Sequence, residues 1–180
     1  MASVVSLVRA YERFISLEWT PNLAGPQKVL FAVYDPRDER RIRARLGEFE
    51  NATRGAGRTW IPCDLTQAFA SWMSTHKYRD AYFEDPDDMK IALGDFEKHT
   101  AKMVLAALHD PRADERSVVA VYGAASLFGF MKVSRLIELV EDAIPGRLLL
   151  FFPGQHDDGV YRLMDARDGW NYHAVPISSE

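Results

Sequence analysis

The chain has 180 residues, 22 of them Lys or Arg and 26 Asp or Glu, for a net charge of −4. Its 47% hydrophobic and 27% charged content is that of a globular domain, one large enough to fold without metal or disulfide. The acidic balance argues against a dedicated nucleic-acid binder, the lone Cys63 excludes an intrachain disulfide, and no apolar run reaches the ~20 residues of a membrane span.

Val5, Val8, Tyr11, Glu12 and Ile15 follow helical spacing, with Val4, Leu7 and Phe14 widening the face, so the spacing predicts an amphipathic helix over residues 2–17. Its polar face is mixed rather than basic, which favours packing on the domain over lying on a membrane. Pro21, Gly25 and Pro26 break the chain before a first strand, Lys28 to Tyr34. Asp35-Pro36 then opens a helix, the carboxylate as cap and the proline in the first turn. Ile42, Leu46 and Phe49 mark its buried face up to Gly55. Thr59 to Cys63 reads as a second strand, with Asp64 and Gln67 as a capping box for a helix carrying Leu65, Phe69, Trp72, Met73 and His76. Cys63, between Ile61 and Leu65, reads as a core residue.

Lys77 to Glu84 reads as an aromatic, charged connection. Asp85-Pro86 opens a long helix striped by Met89, Leu93, Phe96, Thr100, Met103, Val104 and Ala107. From Ser117 to Gly154 the pattern is strand, glycine turn, amphipathic helix, strand: a βαβ unit. The second strand, from Leu148, is expected to stop at Pro153-Gly154. Val160 to Met164 and Trp170 to Ile177 read as a terminal antiparallel hairpin at a sheet edge, joined by a turn over Asp165 to Gly169. The expected fold is a single three-layer α/β domain over 1–180. It has a mostly parallel sheet, helices on both faces and a C-terminal antiparallel β-hairpin. It is P-loop-like without a Walker A loop. Gly123 and Gly129 flank five residues, but Phe130 stands where a phosphate loop needs lysine.

Chemistry in such sheets gathers beyond the carboxyl ends of the strands. Asp35, Asp38 and Asp64 are therefore weighed as a magnesium site for phosphoryl transfer, against plain helix capping. The five histidines form no metal-binding pair, so no metal or cofactor is expected. Ser126 lacks a nucleophile elbow; a triad with His173 and Asp165 has no motif behind it. The helix carrying Arg37, Arg40, Arg41, Arg43 and Arg45 is weighed as a nucleic-acid face. Its interspersed acids, notably Glu39 four residues before Arg43, favour a salt-bridged surface. Tyr78, Arg79, Tyr82 and Phe83, with Phe128, Phe130, Arg167, Trp170 and Tyr172, combine the residue types that dominate protein interfaces. Arg37, Arg40 and Arg41 join these as candidate partner-binding residues.

Several stretches also resemble a family. They are Tyr34-Asp35-Pro36-Arg37 with Glu39-Arg40-Arg41, Tyr78-Arg79-Asp80-Ala81-Tyr82-Phe83 and Ala124-Ala125-Ser126-Leu127-Phe128-Gly129-Phe130. Phe151-Phe152-Pro153-Gly154, Tyr161-Arg162-Leu163 and Asp165-Ala166-Arg167-Asp168-Gly169-Trp170-Asn171-Tyr172 continue the series in order. Together they resemble BrxB, a small component of the bacterial BREX phage-defence systems. The resemblance implies a cytoplasmic, non-catalytic subunit that binds other BREX proteins, the phosphatase-superfamily protein PglZ first among them. It implies a role in phage restriction and in host DNA methylation, and it carries no catalytic residues onto this chain.

Overall fold

The structure, a computed structural model, describes residues 3–157, 160–164, 166–169 (backbone only) and 174–177. Helix α1, Val4–Ile15, begins at Ser3, whose hydroxyl accepts the Ser6 amide at 3.2 Å. Its buried face is Val4, Leu7, Val8, Tyr11 and Ile15, while Val5 is exposed. That face packs on the sheet, so α1 belongs to the domain and is not free to lie on a membrane. Strand β1, Val29–Tyr34, leads into a 3-10 turn, then α2, Glu39–Ala44, and α3, Leu46–Gly55. The single helix expected here breaks at Arg45, whose φ of −113° and ψ of 8° are not helical. The 3.6-residue spacing of Ile42, Leu46 and Phe49 runs through this break and hides it.

Strand β2, Thr59–Asp64, is followed by α4, Ala68–Ser74. The expected capping box is absent: Asp64 accepts the Thr66 amide at 2.8 Å, one turn before the helix starts. The expected connection over 77–84 contains a short helix, α5, Arg79–Glu84, which buries no residue. A 3-10 run, Asp88–Ala92, then feeds α6, Leu93–Leu108. Strand β3, Ser117–Tyr122, helix α7, Val133–Val140, and strand β4, Arg147–Asp157, form the expected βαβ unit, with β3 and β4 paired in parallel.

The parallel strands run in the order β2-β3-β4-β1-β7, where β7 is Val175–Ile177. Side chains alternate between two cores, as a sheet covered on both faces requires. Leu30, Ala32, Trp60, Val118, Leu149 and Phe151 meet α1 and the α2–α3 pair. Phe31, Ile61, Cys63, Val119, Leu148 and Phe152 meet α4, α6 and α7 on the other face. Pro62 is tolerated because β2 is an edge strand.

The expected three-layer α/β fold with a C-terminal antiparallel hairpin is present, but the hairpin is built from other strands than expected. Strand β4 does not stop at Pro153-Gly154 but continues to Asp157, where it pairs antiparallel with β5, Val160–Leu163. Ala166–Gly169, read as a turn, forms β6 against β5, while β7 pairs in parallel with β1 instead of closing a hairpin. The β5–β6 hairpin is not at the edge. Tyr161 pairs with His156, yet its ring lies 4.7 Å from Phe31, whose own partner on β4 is Leu150. Six residues of straight strand would separate these levels by about 20 Å. The end of β4 therefore folds back, and the hairpin covers the sheet beside α7. No helix among the described residues is long and apolar enough to cross a membrane.

Candidate functional site

At the carboxyl ends of the strands the polar groups are already committed to one another. Tyr34 donates its hydroxyl to Glu39, whose other oxygen accepts Arg43 Nε at 2.8 Å. Arg43 Nη2 reaches Thr66 Oγ1 at 2.6 Å, and that hydroxyl donates to Asp64. Burial, reinforced by Glu39, pushes the Tyr34 phenol far above its usual range. Asp35 accepts the Arg37 amide at 2.9 Å and a two-pronged guanidinium contact at 3.0 and 2.6 Å. The Arg37 guanidinium beside it holds the Asp35 carboxyl down to about 2.

This corrects the magnesium reading. Asp35 and Asp64 end strands β1 and β2, which stand three strand spacings apart, about 14 Å. No cluster of three or more metal-ligating side chains occurs among the described residues. Asp38 is taken by Arg41 at 2.9 Å.

The arginine-rich segment is charge-matched rather than free for phosphates. Besides Arg37 and Arg41, Arg43 pairs with Glu39 and Arg45 with Glu48, at 2.8 and 3.4 Å. Arg40 projects into solvent.

The Gly123 turn is a packing device. Its φ is +80°, and a Cβ there would stand 2.6 Å from the Thr66 amide nitrogen, so only glycine lets β3 exit against the loop after β2. Ser126 Oγ donates to the Leu65 carbonyl at 2.7 Å, which fastens the two exits together. His173 and Asp165, weighed against it as triad partners without a motif, lie outside the described residues. Leu127 is buried, Phe130 is half-buried and Phe128 is exposed.

From this turn a series of aromatic rings runs to the surface. Phe130 stacks on Phe69 at 4.1 Å, and Phe69 meets Phe96 at 5.6 Å and Trp72 at 5.8 Å. Trp72 leads to His76 at 5.1 Å, and His76 to Tyr82 at 5.1 Å. Tyr78 closes the series, 6.3 Å from Tyr82. Among the described residues, Phe83 is 66% exposed, Ile91 90%, Tyr78 53% and Phe128 41%. Exposed apolar side chains of this size are what a partner-binding surface offers. Arg79, held to Asp80 at 3.0 Å, borders them.

No family model matches the chain, and neither a curated protein nor a solved structure is significantly similar to it.

Of the candidate partner-binding residues, the structure brings Tyr78, Arg79, Tyr82 and Phe83 together on and around α5, with Phe128 and Phe130 at the neighbouring turn. Arg37, Arg40 and Arg41 belong to a different segment, on the α2 side of the sheet. Arg167 falls on β6, and its side chain, like Trp170 and Tyr172, lies outside what is described. Ile91 was not anticipated. It lies in the stretch read as the start of an apolar-striped helix but off the stripe, two residues from both Met89 and Leu93, and that offset was the signal in the sequence for an outward side chain.

Cys63 carries no reactivity. Burial, with Asp64 adding to it, pushes its thiol up to about 12. A thiol so buried stays protonated near neutral pH and is a poor nucleophile. The native chain is expected to leave a thiol reagent such as DTNB unconsumed at pH 8 and to release one equivalent in denaturant; rapid native labelling would contradict this burial.

Proposed function

We propose that the chain is a non-catalytic interaction subunit of a BREX antiphage defence system, cytoplasmic, with a PglZ-type protein as its principal partner. The assembly would support phage restriction and host DNA methylation. The observation that carries the reading is the set of exposed apolar side chains Tyr78, Phe83, Ile91 and Phe128, of which Tyr78 rests against the half-buried rings of His76 and Tyr82. An exposed phenylalanine and isoleucine cost solubility without serving the core, and a partner that buries them removes that cost. The resemblance in ordered sequence stretches, two of which supply Tyr78, Tyr82, Phe83, Phe128 and Phe130, supports the same reading. The carboxyl-end network supports it too, since its side chains are spent on each other rather than arranged around a substrate.

The test is co-purification and analytical ultracentrifugation with the PglZ protein of the same defence locus. A complex is expected at micromolar concentration. Phe83→Asp combined with Ile91→Asp is expected to weaken it by about 30-fold or more, the effect of losing hot-spot residues. The melting temperature of the free chain should change little, because both side chains face solvent. Absence of a complex, or an unchanged affinity in the double variant, would overturn the assignment of this surface.

A further inference from the structure

The amino ends of the strands carry a feature that the aromatic surface does not explain. Each of the four longer parallel strands begins at a cation. Lys28 precedes β1, Arg58 precedes β2, Arg116 precedes β3, and Arg147 is the first residue of β4. A parallel sheet places all four at one end, and there they line a cavity of about 590 Å³ together with Trp19.

None of the four side-chain cations forms an ion pair among the described residues, and the nearby Asp114 carboxylate accepts the Arg116 backbone amide at 2.8 Å. They are held by backbone carbonyls instead. Lys28 Nζ donates to Ile144 at 2.8 Å, and Arg116 Nη2 to Gly57 at 3.1 Å. Arg58 donates to Ile15 and Leu17 at 3.1 and 2.8 Å, and Arg147 to Gly146 and Thr20 at 3.0 and 3.4 Å. Arg147 is only 7% exposed. The guanidinium carbons of Arg58 and Arg147 lie 3.7 and 4.5 Å from the centre of the Trp19 ring. Trp19 buries its Nε1–H with no acceptor. The carboxylates in the lining, Glu18 and Glu115, are exposed and pair with none of the cations.

Arg147 is buried, Lys28 and Arg58 are half-buried and Arg116 is exposed; a buried cation without a counter-charge is costly, and neighbouring cations add to that cost. Burial lowers the pKa of both Arg58 and Arg147, with Arg116 pressing on Arg58 and Arg58 on Arg147. Carbonyl anchors fix the forks in place, so the cluster is preorganised for an anion. Guanidinium forks favour phosphate oxygens, and the cavity has the dimensions of a small-molecule site.

We propose that this cavity binds a phosphate-bearing small molecule, held by Lys28, Arg58, Arg116 and Arg147 at the amino ends of the parallel strands. The site stands apart from the aromatic surface, so it does not depend on the reading of that surface.

Titration calorimetry and thermal melts of the full chain test it, with inorganic phosphate, pyrophosphate and ATP as probes and polyglutamate as the acidic-polypeptide control. One-to-one binding of pyrophosphate or ATP is expected, with a rise of a few degrees in melting temperature. Pyrophosphate and ATP binding alike would assign the site to the phosphate groups; ATP binding alone would assign it to a nucleotide. Arg116→Gln and Lys28→Gln are each expected to lower affinity about tenfold. Their unliganded melting temperatures should stay near wild type, so the result does not hang on Arg147 variants that fail to fold. No binding of any phosphate probe at millimolar concentration, unchanged affinity in both glutamine variants, or binding of polyglutamate alone would overturn the proposal.

Discussion

Replacing Gly154 by alanine is expected to lower stability by about 3 kcal/mol or more and to loosen the β5–β6 hairpin from the sheet. A Cβ at this position would stand 1.9 Å from the Arg162 carbonyl oxygen and 2.9 Å from the Phe152 ring. The first obstacle is backbone, held in register by the Gly154–Leu163 pairing, so it cannot step aside as a flexible side chain would. Met164 donates its amide to the Pro153 carbonyl at 2.8 Å, which fixes the chain on the other side of the same bend. The hairpin carries Tyr161 onto Phe31 and Phe152, so losing the bend uncovers part of the core. A fall in melting temperature of about 9 °C corresponds to this cost in a chain of this length. Hydrogen exchange should show lost protection in residues 160–163 before the parallel strands open. Gly47→Ala is the control. A Cβ at Gly47 meets nothing within 4 Å, and helix α3 should be unchanged or slightly stabilised. Equal stability of the Gly154 variant and wild type would refute the fold-back.

That bend is also where the sequence was least informative. Strands β1, β3 and β4 were legible because a parallel strand buried on both faces is a run of apolar residues without alternation, as in Val118 to Val121 and Leu148 to Phe152. The Glu39–Arg43 pair was legible because helix geometry fixes which neighbours meet. Pro153-Gly154 misled because both residues usually end a strand. Here Pro153 sits opposite Tyr34 where β4 leaves the sheet, and its carbonyl still finds a donor. Asp165 to Gly169 has turn composition, yet β6 is held by its pairing with β5, a tertiary effect that local propensity does not contain. The exposure of Tyr78, Phe83 and Phe128 agreed with their residue types, and Ile91 stands off the stripe of Met89 and Leu93, a spacing that was there to be read. The cations at the strand entrances are plain in the sequence, but successive ones lie 30 to 58 residues apart there, with no local pattern that links them. Only the parallel order gathers Lys28, Arg58, Arg116 and Arg147 at one cavity.

Phe49→Ala is expected to destabilise the chain by about 4 kcal/mol, the cost of removing a large buried aromatic side chain and leaving a cavity. Phe49 is fully buried on α3 and joins three elements. Its ring lies 5.2 Å from Tyr11 of α1 and meets Phe151 of β4 edge-on at 4.9 Å. Its carbonyl accepts the Thr53 hydroxyl at 2.8 Å. That hydroxyl has one hydrogen, so in the 2.6 Å contact between Tyr11 and Thr53 the tyrosine must be the donor. Tyr11→Phe would remove only this bond and is expected to cost about 1 kcal/mol, whereas Phe49→Ala also opens the space between α1 and the sheet. The expected drop in melting temperature is about 12 °C for the alanine variant and about 3 °C for the phenylalanine one. Both residues belong to the core on the α1 side, while Tyr82 and Met89, which seat the exposed aromatic surface, pack on the opposite core. The folded fraction of either variant should therefore bind its partner with wild-type affinity. A loss of affinity at a temperature where the variant is fully folded would mean that the partner contacts α1 or α3, and that Tyr78, Phe83, Ile91 and Phe128 are not the whole interface.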